Sequence, residues 1–361
     1  MRKFLAILVA LIALVGVLGT LAVVFFGPQI GVALMKPMID RNMQSSQLDE
    51  LEDGLHVALC GAGGPLGSAN RSGPCVAVVA GKRLFVFDAG NNAARNLQMM
   101  RLPTGEVEGL FLTHFHSDHI DGLGELAMQH WASVANEVPL IVHGPEGVEQ
   151  VVNGFNSAYA QDFSYRIAHH GEAATPPSGA GSRAVPFAVP PAGHSVTVLE
   201  DDTVKIIAFR VQHDPIHPAV GYGVFYGGRS VFISGDTLKN QTLIDQAKGA
   251  DLLVHEALSR KLVGIMQAGA KKAGRKNLEK IMWDITNYHA SPVEAAEAAQ
   301  EAGVGHLLYY HIVPPLPIGL LEQVYLEGTD DAFEGDITLG EDGTFISLPT
   351  GSKEIKVDAL M

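Results

Sequence analysis

Hydrophobic residues follow two patterns along the chain. From Leu55 onward, short apolar runs alternate with glycine-rich turns, as in HVALCGAGG, CVAVVAGKRLFVFDAG and GLFLTHFH. Such runs are typical of buried strands, and the Gly81-Lys82 step predicts a hairpin. GLGELAMQHWASV and SPVEAAEAAQEAG predict helices, the second capped by Ser291, with Pro292 in its first turn and Gly303 at its end. Grouped strands with intervening helices predict an α/β sandwich, with sheets inside and helices outside.

The second pattern is a long apolar segment at the N-terminus. Residues 4–26 contain no charged side chain, and a helix of this length reaches roughly 35 Å, enough to cross a bilayer. We therefore predict a transmembrane anchor over 4–26, a cytoplasmic N-terminus over 1–3, a juxtamembrane stalk over 27–50 and one large domain over 51–361. The basic residues of segment 1–3 favour a single-pass protein whose large domain lies outside the cytoplasm. A cleaved signal peptide, and hence a secreted protein, is the alternative.

Two later segments of the large domain also have sequences that predict their local structure. Residues 171–200 are rich in Pro, Gly, Ala and Ser, which predicts a loop or insertion. The tail DITLGEDGTFISLP predicts a final hairpin that turns at GEDG.

Charge and cysteine content add weaker constraints. The net charge is −14, which disfavours a nucleic-acid surface because phosphates are held mainly by clustered Lys and Arg. The basic run KKAGRK, residues 271–276, is interpreted as a solvated helix face or loop. Cys60 and Cys75 lack a C-x-x-C spacing, so they form either a disulfide in an oxidising compartment or two buried free thiols.

Metal-binding side chains are concentrated in THFHSDHIDG, residues 113–122. In an extended chain His114 and His116 point to the same side and can bind one ion, while Asp118 and His119 lie further along and can bind a second. Imidazole nitrogen and carboxylate oxygen are ligands that zinc prefers. One loop cannot complete two such sites.

Three more candidate ligands occur at the ends of predicted strands. His213 ends VKIIAFRVQH, Asp236 ends SVFISGD and His311 ends HLLYYH. Because each follows an apolar run, as the first cluster does, their recurrence predicts a shared metal site rather than core packing.

The motif H-x-H-x-D-H, together with LCGAGGPLGSANRSGPC and the Asp88 segment FVFDAG, resembles the metallo-β-lactamase fold superfamily, on the branch of ribonuclease Z, arylsulfatase and phosphodiesterase enzymes. The resemblance covers about Leu55 to Leu348 and implies an αββα sandwich. It also implies two zinc ions, one held by His114, His116 and His213, the other by Asp118, His119 and His311, with Asp236 bridging them. Manganese or iron in place of zinc is not excluded by these ligands.

Departures from other branches narrow the expected chemistry. Class B β-lactamases usually carry cysteine where Asp236 stands, and flavodiiron enzymes carry glutamate where His116 stands. Ribonuclease Z has a tRNA-binding arm between the residues matching His213 and Asp236, but only the 22 residues 214–235 lie between them. We therefore expect no nucleic-acid partner and a small-molecule ester substrate.

Further candidates lie outside the ligand set. His289 stands before a helix and matches the histidine of the HST motif of ribonuclease Z, so the resemblance implies that it acts as a proton donor. His255 and Glu256 match the HEAT segment of the same family and are expected to orient the metal ligands by hydrogen bonds. His217 is a candidate substrate-binding residue, and Asp118 is a catalytic candidate as well as a ligand.

The expected function is a membrane-anchored dizinc hydrolase that cleaves phosphodiester or sulfate ester bonds by attack of a metal-bridging hydroxide. A lactonase or other acyl hydrolase is one alternative, because the same hydroxide can attack a carbonyl. A catalytically inactive metal-binding scaffold is the other. The oligomeric state and the natural substrate are left open by the sequence.

Overall fold

The computed structural model describes residues 2–44 and 46–361, which form two units that divide at residue 50. The first unit contains helix α1 (Arg2–Gln44) and the short helix α2 (Gln47–Glu50). Among the described residues, α1 is the one helix whose length and composition would allow it to cross a membrane, a property it shares with signal sequences. It continues without a break past residue 26, with Pro28 and Pro37 inside it.

The second unit contains two β-sheets. Sheet A has eight strands in the order β15-β14-β1-β2-β3-β4-β5-β6. These are β1 (Gly54–Gly61), β2 (Cys75–Ala80), β3 (Arg83–Phe87), β4 (Val107–Phe111), β5 (Leu140–Pro145), β6 (Ser182–Phe187), β14 (Thr344–Pro349) and β15 (Lys356–Ala359).

Sheet B has seven strands in the order β13-β12-β11-β10-β9-β8-β7. These are β7 (Ser195–Glu200), β8 (Val204–Arg210), β9 (Val220–Tyr226), β10 (Arg229–Ile233), β11 (Leu252–Leu258), β12 (His306–Val313) and β13 (Asp336–Leu339). The pairs formed by β10, β11, β12 and β13 are parallel.

Helices cover the outer faces of the sheets. α3 (Ala93–Met99), α4 (Ser117–Ile120), α5 (Leu123–Ser133) and α6 (Val148–His170) follow the strands of sheet A. α7 (Gln241–Gln246), α8 (Arg260–Lys272), α9 (Lys276–Asp284), α10 (Pro292–Ala302), α11 (Gly319–Tyr325) and α12 (Thr329–Ala332) follow strands of sheet B. α3, α5 and α6 contact sheet A, and α7 and α10 contact sheet B.

The alternation of side chains in β8 shows how the layers are built. Ile206 and Ala208 belong to the core between the two sheets, whereas Ile207 and Phe209 belong to the core beneath α10. Because neighbouring side chains of a strand point to opposite faces, a strand that is apolar throughout can serve both cores. The result is the predicted αββα sandwich.

Several local predictions are confirmed. Ala80 and Arg83 pair across the two-residue turn of the β2–β3 hairpin. The predicted GLGELAMQHWASV helix is α5. At the start of α10, the Ser291 hydroxyl accepts a hydrogen bond from the backbone N–H of Glu294, and the Glu294 carboxylate accepts one from the backbone N–H of Ser291, which together form a capping box. Gly303 ends the helix in a left-handed conformation, at φ 64°.

Two local predictions are wrong. The segments DITL and TFISLP do not form a hairpin, since β13 pairs with β12 in sheet B and β14 pairs with β1 in sheet A. Residues 171–200 are not only a loop, because they contain β6 and β7, which end sheets A and B respectively. Edge strands tolerate proline and exposed polar residues, which explains why their composition resembles that of a loop.

Candidate metal centre

The histidine-rich segment lies at the carboxyl edge of sheet A. It follows β4, and its second half forms the first turn of α4, where Asp118 and His119 are buried. His213 follows β8 and Asp236 follows β10, both in sheet B. The carboxyl ends of strands from the two sheets therefore meet at one edge of the sandwich.

Asp236 lies at the centre of the converging side chains. Its carboxylate oxygens lie 3.4 Å from Nε2 of His119 and 3.3 Å from Nε2 of His311. The Nε2 atoms of His114 and His213 each lie 3.8 Å from Oδ2 of the same carboxylate. A single carboxylate between two sets of imidazoles has the geometry that a bridging metal ligand needs.

The candidate ligand atoms form groups whose members lie within 4.8 Å of one another. One group contains His114, His116, His213 and Asp236, and another contains Asp118, His119 and His311. The structure thus brings together all seven predicted ligands. His289 lies within the same distance of Asp236 and His311.

His311 reaches the centre through an irregularity in β12. Glu256 of β11 pairs with Tyr310 and Ala257 pairs with Ile312, so His311 is an extra residue between them. Its φ is 45°, a left-handed conformation uncommon for a residue with a side chain. A β-bulge of this kind redirects the side chain of the extra residue, and here it accompanies the approach of Nε2 to Asp118, at 3.3 Å.

The unsatisfied polar atoms of the centre fit a metal site. Among the described residues, several buried atoms make no hydrogen bond: Asp118 Oδ2, His119 Nε2, His213 Nε2, Asp236 Oδ1 and His311 Nε2. Buried polar groups are nearly always paired, and leaving one unpaired costs about 1–3 kcal/mol. Five such atoms facing one small region are explained if they coordinate cations.

The electrostatics of the centre also favour cations. Burial by itself would lower the pKa of His311, but the Asp236 and Asp118 carboxylates outweigh it and raise that pKa to about 9. Burial would likewise raise the pKa of Asp118, yet the neighbouring His119 and His311 hold it at about 2. Burial would also raise the pKa of Asp236, but His311 and His119 hold it well below its usual range. Both carboxylates therefore stay ionised, and metal ions can take the place of protons on the facing imidazoles.

Asp88 and Thr113 support the ligands, and the sequence did not predict this role. Oδ2 of Asp88 lies 2.8 Å from Nδ1 of His119 and accepts a hydrogen bond from the Thr113 hydroxyl. The same hydroxyl lies 3.0 Å from Nδ1 of His114. Carboxylates that accept the second ring N–H of a ligating histidine fix its orientation. The position of Asp88 directly after β3, at the same sheet edge, was the available signal.

His289 is held by Glu256. Oε1 of Glu256 lies 3.1 Å from Nδ1 of His289 and accepts the backbone N–H groups of Thr237 and Ala290. On the other side, Arg260 donates to the His289 carbonyl oxygen at 3.1 Å. His289 is 6% exposed. Its ring is therefore fixed next to Asp236 and His311.

The remaining predicted residues differ in their positions. His255 is buried in β11, and its Nδ1 lies 2.6 Å from the backbone carbonyl oxygen of the adjacent Glu256. His217 is exposed, pairs with Asp214 and lines a cavity of about 650 Å³. The same cavity is lined by Phe115, which lies between His114 and His116 in the sequence, and by Ile120, which directly follows His119.

The two cysteines form a disulfide. Cys60 and Cys75 are bonded and fully buried, and they close the loop between β1 and β2. That loop, together with Asp118, lines a smaller cavity of about 150 Å³. The alternative of two free thiols is therefore excluded in this structure.

Comparison with known families identifies the fold. A sequence profile described as "Metallo-beta-lactamase superfamily" matches residues 70–260. The chain belongs to the metallo-beta-lactamase superfamily. A protein named ribonuclease Z from Mycobacterium sp. (strain KMS) is 33% identical over 292 residues, which cover 80% of this chain and 94% of the relative. A ribonuclease Z from Mycolicibacterium gilvum is also 33% identical, over 290 residues that cover 80% of this chain and 94% of the relative.

Solved structures of this superfamily share the fold. The metallo-beta-lactamase fold protein YhfI from Bacillus subtilis has a TM-score of 0.58 at 17% identity, covering 82% of this chain and 100% of its own. The short form of human tRNase Z has a TM-score of 0.56 at 22% identity, covering 81% and 99%. The protein is thus a hydrolase of this superfamily, and its fold and His/Asp clusters imply divalent metal binding.

The expectation about partners is wrong. Relatives that match most of the chain are named ribonuclease Z, and a structural neighbour is named tRNase Z; these names denote enzymes that act on RNA. They conflict with the prediction of a small-molecule ester substrate and no nucleic-acid partner. That prediction rested on the net charge of −14 and on the short interval between His213 and Asp236, which leaves no room for a tRNA-binding arm. Net charge is a sum over the whole surface and does not report how cations are distributed on it.

Proposed function

We propose that this protein is a membrane-anchored, two-metal hydrolase that cleaves phosphodiester bonds in RNA. The observation that carries the proposal is the convergence of unpaired, buried ligand atoms around Asp236, next to a histidine whose ring is fixed by Glu256. The RNA substrate is supported by the ribonuclease Z relatives.

The residues fit two ions with a shared ligand. His114, His116 and His213 would hold one, Asp118, His119 and His311 the other, and Asp236 would contact both. Zinc is the first choice for this set of nitrogen and oxygen donors, while manganese and iron also suit it. When bound, such a pair activates water at neutral pH and neutralises charge on the attacked phosphate.

His289 serves as the proton donor in this proposal. Its Nδ1 donates to Glu256, so Nε2 is the nitrogen that can give a proton to the oxygen leaving phosphorus. The Glu256 carboxylate keeps the ring of His289 in a fixed orientation. Burial of both side chains limits competition from bulk water.

We further propose that α1 anchors the enzyme with its catalytic unit outside the cytoplasm. The length and apolar character of α1 support an anchor. The Cys60–Cys75 disulfide supports an oxidising compartment, since disulfides are rare in reducing ones. A signal sequence that is cleaved would give a secreted enzyme with the same catalytic unit.

The test compares His289→Ala with the wild type and with a control, His194→Ala, which removes an exposed histidine outside the candidate metal centre. The full chain, purified in detergent and loaded with zinc, is assayed on an end-labelled oligoribonucleotide and on bis-p-nitrophenyl phosphate. We expect His289→Ala to lower turnover roughly 10²- to 10⁴-fold, with zinc content unchanged and His194→Ala fully active.

Two results would overturn the proposal. Loss of zinc in His289→Ala would make His289 a ligand, a role that its distance from Asp236 and His311 also permits. Intact RNA together with hydrolysis of a lactone by the zinc-loaded wild type would assign acyl hydrolysis instead.

A further inference from the structure

The segment between β11 and His289 forms a helical hairpin of unusual charge. α8 and α9 pack against each other, joined by a short turn at residues 273–275. Residues 260–284 carry seven Lys and Arg residues against two acidic ones, in a chain whose net charge is −14. We call this segment the α8–α9 hairpin. It concentrates positive charge on an otherwise acidic protein.

One face of α9 combines these cations with an exposed tryptophan. Lys276, Lys280 and Trp283 are spaced by four and three residues and therefore share one side of the helix. The opposite side, with Met282 and Leu278, packs into the protein. Trp283 is 58% exposed, although tryptophan is usually well buried. A solvated basic face alone does not explain a large aromatic ring among lysines.

In the part of the chain that the structure describes, four of the hairpin's seven cations form ion pairs, namely Arg260, Lys261, Lys271 and Lys280, and three near the turn do not. Among the described residues, Lys272, Arg275 and Lys276 are exposed and form no ion pair, whereas Lys280 pairs with Asp284. Surface cations without a carboxylate partner are available to an anionic ligand, because no existing ion pair has to be broken.

The hairpin docks at the edge of the sandwich that carries the metal centre. Val263 and Met282 pack with Leu258 and Val313, the last residues of β11 and β12. Those strands carry Glu256 and His311 a few residues earlier. After α9 the chain runs through one turn of 3₁₀ helix, residues 285–287, directly to His289. A polymer bound at the catalytic centre is thus within reach of the hairpin.

We propose that the α8–α9 hairpin binds the single-stranded RNA that continues from the scissile bond, with Lys272, Arg275 and Lys276 contacting phosphates and Trp283 stacking on a base. This inference rests on the proposed function and adds how the RNA is held. Positive grooves with interspersed aromatic rings are the common solution for binding single strands. The exposed ring beside the cations favours RNA over an acidic peptide, for which the cations alone would suffice.

The competing occupant is an anionic membrane surface. Exposed Ile265 and Ile281 beside lysines also occur in helices that lie on bilayers. The emission of Trp283 distinguishes the two ligands, because a base that stacks on the ring should quench it and a membrane should shift it to shorter wavelength. The other tryptophan, Trp131, is fully buried, so its emission should not respond to either ligand.

The experiment measures RNA binding without cleavage. The full chain in neutral detergent with EDTA is titrated with a fluorescein-labelled oligouridylate, and Trp283 emission is recorded in parallel. We compare Lys272→Ala/Arg275→Ala/Lys276→Ala with the control Lys205→Ala/Lys248→Ala/Lys353→Ala, which removes the same charge elsewhere. We expect at least ten-fold weaker binding for the hairpin variant, with the control unchanged. The slope of log affinity against log salt should fall by about 2, because each neutralised phosphate of a single strand contributes about 0.7.

Trp283 gives a second, independent readout. RNA should quench Trp283 emission in the wild type. Trp283→Ala should bind roughly ten-fold more weakly, while Trp283→Phe, which keeps an aromatic ring, retains most of the affinity.

Equal RNA affinity of the wild type and the hairpin variant would overturn the inference, as would the absence of RNA binding by the wild type. A blue shift of Trp283 emission in nanodiscs of anionic lipid, with RNA affinity unaffected by the variant, would assign the hairpin to the membrane. The proposed function is judged separately, by cleavage of the dinucleotide UpU in the zinc-loaded protein, because a substrate this short does not require the hairpin and should be cleaved equally by wild type and variant.

Discussion

Oε1 of Glu256 lies 3.1 Å from Nδ1 of His289, and both side chains are buried. Glu256→Gln keeps the size of the side chain and an oxygen for the two backbone N–H groups, but removes the negative charge facing the imidazole. We expect turnover to fall roughly 10- to 100-fold with zinc content unchanged. Steady-state kinetics with metal analysis checks this, and Glu327→Gln, at an exposed position, is the control. Unaltered turnover would mean that the carboxylate does not support the donor.

Asp88 offers a test of ligand support. It accepts hydrogen bonds from His119 and Thr113 but lies outside the ligand set. Asp88→Asn should lower zinc affinity at the site holding His119 by roughly 10- to 100-fold, measured by competition with a chelator. Asp53→Asn, which alters an exposed carboxylate bonded to Tyr226 and Thr350, should leave both affinities unchanged. Equal zinc affinity in the two variants would contradict the role of Asp88.

The Cys60–Cys75 disulfide should contribute to stability. It spans 15 residues, and closing a loop of that length in the unfolded chain stabilises the native state by about 3 kcal/mol. Cys60→Ala/Cys75→Ala should lower the free energy of unfolding by about that amount in urea titrations of the full chain in detergent. A reducing agent should destabilise the wild type to a similar degree and leave the variant unaffected. Identical unfolding of oxidised and reduced wild type would refute the prediction.

His143 predicts a specific pH dependence. Its ring stacks on Phe111, with centroids 4.6 Å apart, and burial lowers its pKa to about 4. The unfolded chain binds a proton below about pH 6.5 and the native state only below about pH 4, so protonation favours unfolding between these values. Compared with His143→Phe, the wild type should lose about 2 kcal/mol of stability as pH falls from 7 to 4, after allowance for partial exposure.

The difference between the two unfolding curves, measured by urea titration at each pH, isolates this residue from other titrating groups. The difference should be constant above pH 7. A constant difference down to pH 4 would show that His143 titrates normally in the native state.

The fold was predictable where local pattern and burial agree. The apolar runs of β1 to β4, the Gly81 turn and the Ser291 cap are local signals, and the structure confirms them. DITL and TFISLP were wrongly paired because GEDG is a good turn sequence, whereas the choice of sheet depends on partners far along the chain, β12 and β1. β6 and β7 were missed because edge strands lack the apolar pattern of buried ones.

In the candidate metal centre too, features with a local sequence signal were predicted, and features that depend on contacts between distant segments were missed. The spacing of His114, His116, Asp118 and His119 is visible in the sequence, and the other three ligands, His213, Asp236 and His311, were predicted from their positions at strand ends. The bulge that turns His311 inward was not predictable, since it depends on the register between β11 and β12. The support of His119 by Asp88 was missed because it requires β3 and β4 to be neighbours, which only the folded sheet establishes.

The central claim is that seven side chains hold two metal ions on either side of Asp236. Anomalous X-ray scattering at the zinc edge from crystals of the zinc-loaded protein tests it most directly. We expect two peaks flanking the Asp236 carboxylate, with ligand atoms at about 2.0–2.2 Å from each: His114, His116 and His213 around one, Asp118, His119 and His311 around the other. A single peak, or peaks that leave Asp236 uncoordinated, would contradict the account.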